Sequence, residues 1–450
     1  MPKHCPVTVL ALLSLVIIFT WSEQVVAQVD DELTEITVQS KRIANDSPAS
    51  SYATAATALR FDPLTELQSR GLAEGQSDVT VRGGLFENTG FKLGAMTISD
   101  PQTGHYVAEL PLDPALMSAP TVYKSIDSAI EGFNSAVATV SYGLLRMQDG
   151  GKLSVGAGSD RLNHQTLRFA KTTENSAGND LGVALSLARS EGSGSLEFGD
   201  HEFSRINLQL QHAGENSQSD VVFAYQDKFF GWPGAYTGFA SLPEIDDTQT
   251  TLIMVNHRVN SDNGWLEVGG FYRRLVDDYD FNRATIESGA PGSFEHETTV
   301  FGLGLQGVRD VGRVSWRYGG QVAKDELVRS TDLTNANFTD RSYATFSVVP
   351  SIETELESGN TVQWRFGATV DYSNRDSNQV SPLLGVTLRT QSAAASIDYS
   401  LEYAATSQVP GYTALGSGPS GLFGGNAFLG REKAKQLSAS IFRRADDWTL

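Results

Sequence analysis

From Lys152 onward, apolar and polar residues alternate with a period of two over runs longer than an ordinary strand. Between Thr361 and Tyr372, the residues Val362, Trp364, Phe366, Ala368, Val370 and Tyr372 alternate with Thr361, Gln363, Arg365, Gly367, Thr369 and Asp371. Ala395, Ile397, Tyr399, Leu401 and Tyr403 repeat the pattern, as do Leu181, Val183, Leu185 and Leu187, and Ile206, Leu208 and Leu210. Period two means extended backbone with one apolar face. Strands of a soluble sandwich run about 5–6 residues. These run about 10–12, the length of a tilted strand that crosses a bilayer. The connections point the same way. Tight polar turns at 261–264, 310–312, 357–360 and 391–393 are read as alternating strictly with long loops at 229–247, 276–297, 324–340 and 406–432. An up-and-down barrel in a membrane has that asymmetry between its two rims. About fourteen strands are counted by periodicity, with another run starting at Trp448.

Composition removes several rivals. Asp and Glu number 53 against 34 Lys and Arg, a net charge of −19, so phosphate repulsion argues against nucleic-acid binding. Mean hydropathy is −0.21, and one stretch alone is apolar and long enough to suggest a membrane helix, which excludes a polytopic helical protein. The single cysteine, Cys5, permits no disulfide pair and no Cys₄ metal site. Residues 1–27 read as a secretory signal peptide, with Lys3, an apolar run from Val7 to Trp21, and Val25 and Ala27 placed for cleavage before Gln28. The alternative is an N-terminal membrane anchor. Residues 28–50 form a polar segment with one apolar patch, then a linker at Ser47-Pro48-Ala49-Ser50.

Residues 51–150 have the texture of a small mixed α/β domain. Asp62-Pro63-Leu64-Thr65-Glu66-Leu67 resembles a helix start. Short β-runs are expected at 78–81, 95–98, 121–123 and 138–142, the first ending in the turn Arg82-Gly83-Gly84. Residues 151–450 are the barrel region.

Candidate chemistry is sparse. Gly302-Leu303-Gly304-Leu305-Gln306-Gly307 matches a dinucleotide fingerprint, but no helix follows it, so small residues in a strand explain it better. The histidines have no paired metal spacing, and Glu295-His296-Glu297 reads as a solvated loop end. Asp277, Asp278 and Asp280 form an acidic cluster in a long loop. It is either a solvated charge run or a calcium site without the EF-hand pattern. Phe229, Phe230, Trp232, Tyr236 and Phe239 crowd one long loop on a Gly/Pro scaffold, suited to ligand contact or to packing on the rim. No catalytic triad or carboxylate pair stands out.

An exported chain with a small mixed domain ahead of a long β-barrel resembles the TonB-dependent outer-membrane receptors. Glu35, Ile36, Thr37 and Val38 look like the TonB box, which adds as a strand to periplasmic TonB. The 78–84 stretch looks like the plug segment ending in Arg-Gly. Gly132-Phe133-Asn134-Ser135-Ala136 resembles the segment before the last plug strands. Gly425-Asn426-Ala427-Phe428-Leu429-Gly430-Arg431-Glu432 resembles a late loop-to-strand motif. Leu93-Gly94 stands where the plug usually has Asp-Gly, Ala138-Thr139 replaces a double glycine, and Arg431 replaces a proline. The resemblance implies an all-β membrane barrel with an N-terminal α/β plug, in the outer membrane of a diderm bacterium. It also implies TonB, ExbB and ExbD as partners, energised uptake of a scarce solute, no cofactor and no enzymatic activity. Siderophores, cobalamin, glycans and other chelates all remain open as the solute. Plug apices face the ligand in this family, which places Phe86, Glu87, Asn88, Gln102, His105 and Tyr106 at the site, with Phe230, Trp232 and Tyr236 from the loop. Packing of the plug against the barrel is the other account of those residues. Rival readings are an uncoupled structural barrel or adhesin, and a secreted all-β glycan-cleaving enzyme. The resemblance also implies about twenty-two strands, so about fourteen leave the ring open. The 450 residues are therefore expected to be the front of a longer protein, unable to insert alone.

Overall fold

The computed structural model describes residues 54–445, apart from 71–73, 239–241, 286–291, 334–338, 393–394 and 419–423. The signal-like segment, Glu35, Ile36, Thr37, Val38, Phe239 and the run from Trp448 lie outside the described residues.

Among the described residues, fourteen strands form one antiparallel sheet, each paired with its neighbour in sequence, and the first and last of them are its unpaired edges. They are β7 (Gly150–Ala157), β8 (Asn163–Glu174), β9 (Asp180–Gly192), β10 (His201–Ala213), β11 (Ser217–Gly231), β12 (Ile245–Ser261) and β13 (Gly264–Asp280). The second half comprises β14 (Ser293–Val311), β15 (Val314–Ser330), β16 (Asp340–Glu355), β17 (Thr361–Ser373), β18 (Asp376–Gln391), β19 (Ala395–Gln408) and β20 (Glu432–Ala445). The central strands are longer than the alternation suggested, up to 19 residues in β14. Beyond the apolar band both faces turn polar, which hides the period, yet the ladder continues, as in Ile245↔Asp280 between β12 and β13. The expected long loops shrink accordingly to 232–244, 281–292, 331–339 and 409–431. Strict alternation of turn and loop also fails once. The connection between β17 and β18 lies on the loop rim but spans only 374–375.

The two faces of the sheet are inverted relative to a soluble protein. Outward residues are apolar and open, such as Trp364 at 54% exposure, with Phe366, Val370, Leu303 and Leu305. Inward residues are polar and buried, among them Asn207, Gln209, Gln211 and Asp220. Such groups need hydrogen bonds in place of water. Gln209 and Gln211 both donate to Asp220 Oδ1, at 2.8 and 2.7 Å, and Gln218 donates to Asp220 Oδ2 at 2.9 Å. An apolar belt outside and a satisfied polar interior are what a bilayer-spanning barrel wall requires.

The inward face packs on a small mixed unit. A hairpin of β1 (Thr65–Ser69) and β2 (Ser77–Val81) lies beside a sheet of β3 (Thr89–Leu93), β4 (Met96–Ile98), β5 (Thr121–Lys124) and β6 (Ala138–Tyr142), ordered β4-β3-β6-β5. The helix α1 (Ser125–Glu131) joins β5 to β6. The expected helix at Asp62 is instead a turn into β1: Asp62 Oδ1 accepts from Leu64 N at 2.8 Å, and Thr65–Ser69 pairs with Ser77–Val81. A strand partner nearby outweighs the capping signal.

One core runs through both parts, with Phe91, Leu93, Met96 and Tyr142 of the inner unit against Val222, Leu252, Met254 and Phe271 of the wall. Glycines make the approach possible. A Cβ on Gly304 would stand 2.7 Å from Ala95 O, and one on Gly269 would stand 2.6 Å from Met96 Cε. The glycines at 302, 304 and 307 are thus strand positions, and a Cβ at any of the three would crowd neighbouring groups. Charge anchors the seat further: Arg317 donates to Asp127 at 2.7 Å and Glu131 at 2.6 Å, and Lys92 is buried with Glu131 and Gln306. The 132–136 segment docks on β19, where Ala136 N donates to Gln408 Oε1 at 3.1 Å and Asn134 Oδ1 accepts from Val409 N at 2.8 Å. Gly94, with φ at +58°, keeps the left-handed turn between β3 and β4 despite the leucine before it.

Candidate functional site

A cavity of about 520 Å³ lies between the apex of the inner unit and the long loops. Its floor comes from two apex turns, one carrying Phe86 and Glu87, the other Gln102, His105 and Tyr106. Trp232 and Tyr236 form one wall, the ends of β13 and β14 another. The 409–431 loop closes over it through a short helix, α2 (Tyr412–Gly416), whose Tyr412 and Thr413 amides donate to Pro101 O and Gln102 O at 2.8 and 2.9 Å.

Polar groups position Phe86, His105 and Tyr236. Phe86 stacks on His105 at 4.2 Å between centroids. His105 Nδ1 lies 2.9 Å from Asp78 Oδ1, and Arg70 donates to Asp78 Oδ2 at 2.7 Å. Burial alone would raise the Asp78 carboxyl; His105 and Arg70 outweigh it and hold it below the usual carboxylate range. Tyr236 is set by the buried Glu244, which accepts from Tyr236 N at 2.9 Å and Thr237 N at 2.6 Å and also binds the Tyr279 hydroxyl. Tyr236 and Tyr279 then meet edge to face at 5.5 Å.

Beneath the cavity the apex is stapled to the wall. Tyr106 Oη lies 2.8 Å from both Asp246 Oδ1 and Asp277 Oδ1, and Gln102 Nε2 donates to Asp277 Oδ2 at 2.5 Å. Arg273 donates to the carbonyls of Ser99 and Tyr106 at 2.8 and 3.0 Å. Lys228 pairs with Glu109 at 2.5 Å and stands 3.7 Å from Asp246. Burial pushes the Glu109 carboxyl up to about 7; Lys228 opposes the shift and Asp246 adds to it.

The raised value has a sign. A carboxyl that holds its proton more tightly in the folded state loses that advantage as pH climbs from its ordinary value of 4.5 to about 7. Seating of the inner unit should therefore weaken across that window. Glu109→Gln should flatten the dependence, as read from the thermal midpoint against pH. An identical slope in wild type and variant would contradict the assignment.

Several expectations need correction. Asp277, Asp278 and Asp280 are the end of β13 and not a loop, and strand parity sets Asp277 apart from the other two. Asp277 is 4% exposed beneath Tyr106, whereas Asp278 accepts from Arg329 at 3.0 Å. Among the described residues, no cluster of three or more His, Cys, Asp or Glu is arranged for a metal. His296 is not solvated: it is buried on β14, with Nδ1 3.0 Å from Ser330 Oγ, and it lines the cavity. Asn88 and Phe230 are near the site but do not line it. Asn88 is buried and donates to Gln408 at 3.3 Å and Glu432 at 2.9 Å. Phe230 is buried at the end of β11 against His201, 5.6 Å between centroids. Phe86, Glu87, Gln102, His105, Tyr106, Trp232 and Tyr236 all line it. Sequence reading missed Glu244, Tyr279, Phe294, His296, Asp332, Thr413 and Asn426; strand phase would have turned His296 inward, since Leu303 and Leu305 fix the opposite parity as outward.

The inner unit seated on a polar concave wall, with a cavity under long loops, is the plug-and-barrel fold of the TonB-dependent receptors. The siderophore receptor PirA of Acinetobacter baumannii superposes with a TM-score of 0.61 at 10% identity, over 87% of this chain and 66% of that one. A ferric enterobactin receptor variant of Pseudomonas aeruginosa, in complex with enterobactin, gives 0.65 at 14%, over 90% and 69%. The FrpB iron transporter of Neisseria meningitidis gives 0.64 at 12%, over 89% and 68%. The chain thus spans about two thirds of the length of these receptors. No protein-family model and no curated protein matches it.

Proposed function

We propose that this chain is an outer-membrane receptor for energised uptake of a scarce solute. The observation that carries the reading is the cavity itself, floored by the plug apex and closed by the long loops, so that any solute bound there touches the part that must move. The apolar outer belt supports a place in the outer membrane. The solved relatives are named for siderophores, iron and copper, which supports a solute-binding role over catalysis. In this reading residues 28–50 are the coupling segment, with Glu35–Val38 engaging TonB powered through ExbB and ExbD, residues 51–150 the plug, and 151–450 barrel wall. Phe86, Glu87, Gln102, His105, Tyr106, Trp232 and Tyr236 meet the solute. Asn88 and Phe230 set the apex and the wall that carry those groups.

The test is accumulation against surface binding in cells with and without TonB, using labelled ferric siderophores, copper, cobalamin and glycan oligomers. One solute should bind in both strains and accumulate only with TonB. Equal accumulation in both, or binding of none, would favour the uncoupled barrel.

A further inference from the structure

The charged lining of the cavity is acidic. Glu87, Asp277 and Asp332 line it, and among the described residues no lysine or arginine does. Cations do stand close by, but each is engaged: Arg70 with Asp78 at 2.7 Å, Lys228 with Glu109 at 2.5 Å, Arg329 with Glu295 at 2.6 Å, Arg341 with Asp325 at 2.9 Å, and Arg273, beneath Tyr106, with the carbonyls of Ser99 and Tyr106 at 2.8 and 3.0 Å. The sequence of the four long loops adds only Arg283 and Arg431. Arg283 lies on Asp200 at 2.6 Å and Arg431 Nε donates to Ser377 O at 3.2 Å, both away from the lining.

A multiply anionic chelate such as ferric enterobactin would shed hydration here against Glu87, Asp277 and Asp332 with no lysine or arginine in the lining, and the two lining histidines already stand against carboxylates, His105 at 2.9 Å from Asp78 and His296 at 3.3 Å from Asp332; low-dielectric surroundings make that costly. A cation meets the reverse. Phe86, Tyr236 and Tyr279 line the cavity, and aromatic faces attract cations most when desolvated. Burial pushes the carboxyls of Glu87 and Asp332 up. Gln102 Oε1 is buried and accepts no hydrogen bond among the described residues, leaving an acceptor for a ligand N–H. The volume of about 520 Å³ is that of a small-molecule site.

We propose that the cavity selects a compact cationic solute with an aromatic or apolar body and rejects anionic metal chelates. The inference rests on the receptor reading and narrows its solute class.

Rhodamine 123 and fluorescein share a xanthene skeleton and carry opposite charge at pH 8, so they separate charge from shape. Fluorescence anisotropy on the full-length receptor in nonionic detergent should show rhodamine 123 bound at least about tenfold more tightly, about 1.4 kcal/mol. Ferric enterobactin should not displace it. Tyr236→Ala should weaken rhodamine binding, which places the dye in the cavity. Asp332→Lys, a loop substitution, should reverse the order of the two dyes. Equal affinities, tighter fluorescein, binding of neither dye, displacement by ferric enterobactin, or an order that Asp332→Lys leaves unchanged would each overturn the proposal. Dye selectivity needs no TonB. Selectivity with normal uptake in cells lacking TonB would sink the receptor reading alone; lost selectivity with TonB-dependent uptake would sink the cationic class alone.

Discussion

Ile36→Pro should abolish accumulation of the solute while leaving its binding at the cell surface unchanged. Strand addition depends on backbone donors in register, and proline removes one donor, fixes φ and restricts the residue before it. A segment of four residues has few bonds to spare, each contributing about 0.5–1.5 kcal/mol. The cavity residues are remote in sequence from position 36, so binding provides the internal control. Ile36→Val keeps the donor and a β-branched side chain, and should accumulate normally. Full accumulation by the proline variant would remove Glu35–Val38 from the coupling role.

Lys228→Met should unseat the plug. The Lys228 side chain is 0% exposed and holds Glu109 at 2.5 Å, with Asp246 3.7 Å away. Methionine fills a similar volume but leaves two buried carboxylates facing one another. Breaking a buried pair from one side costs about 3–5 kcal/mol. The plug should become protease-sensitive at a lower temperature than in wild type. Adding Glu109→Gln and Asp246→Asn should recover most of the loss, because the uncompensated charge goes with them. A single variant as resistant as wild type would show that the pair does not hold the seat.

Barrel architecture was legible because lipid imposes it locally. Trp364, Phe366, Val370 and Tyr372 are apolar since they face outward, and their inward neighbours are polar since they face the plug. The apex turns were legible too, because Gly and Pro punctuate them. What the sequence hides is pairing across distance. Tyr106 meets Asp277 across 171 positions and Asn88 meets Glu432 across 344, and no local pattern encodes such contacts. Asp277 looked like a solvated acid because charge runs usually are; its parity with Arg273 and Glu267 on β13 points it inward instead. Glu244 was overlooked for a related reason: a lone loop acid gives no hint that it will hold Tyr236 and Tyr279. Arg431 shows the converse. Its amide donates to Asp376 Oδ2 at 2.6 Å, a bond that proline at that position could not make.

The central claim is that solute bound over the plug passes only when the plug moves against the barrel. Cys5 is the sole cysteine among these 450 residues, so no other thiol among them competes with an engineered pair. Asn88 on the plug and Glu432 on β20 touch at 2.9 Å. Asn88→Cys with Glu432→Cys, bridged by a short bismaleimide on whole cells, tethers the two parts. The tethered receptor should bind its solute and accumulate none, while each single variant treated with the same reagent accumulates normally. Accumulation at the untreated rate by the bridged pair would contradict the account.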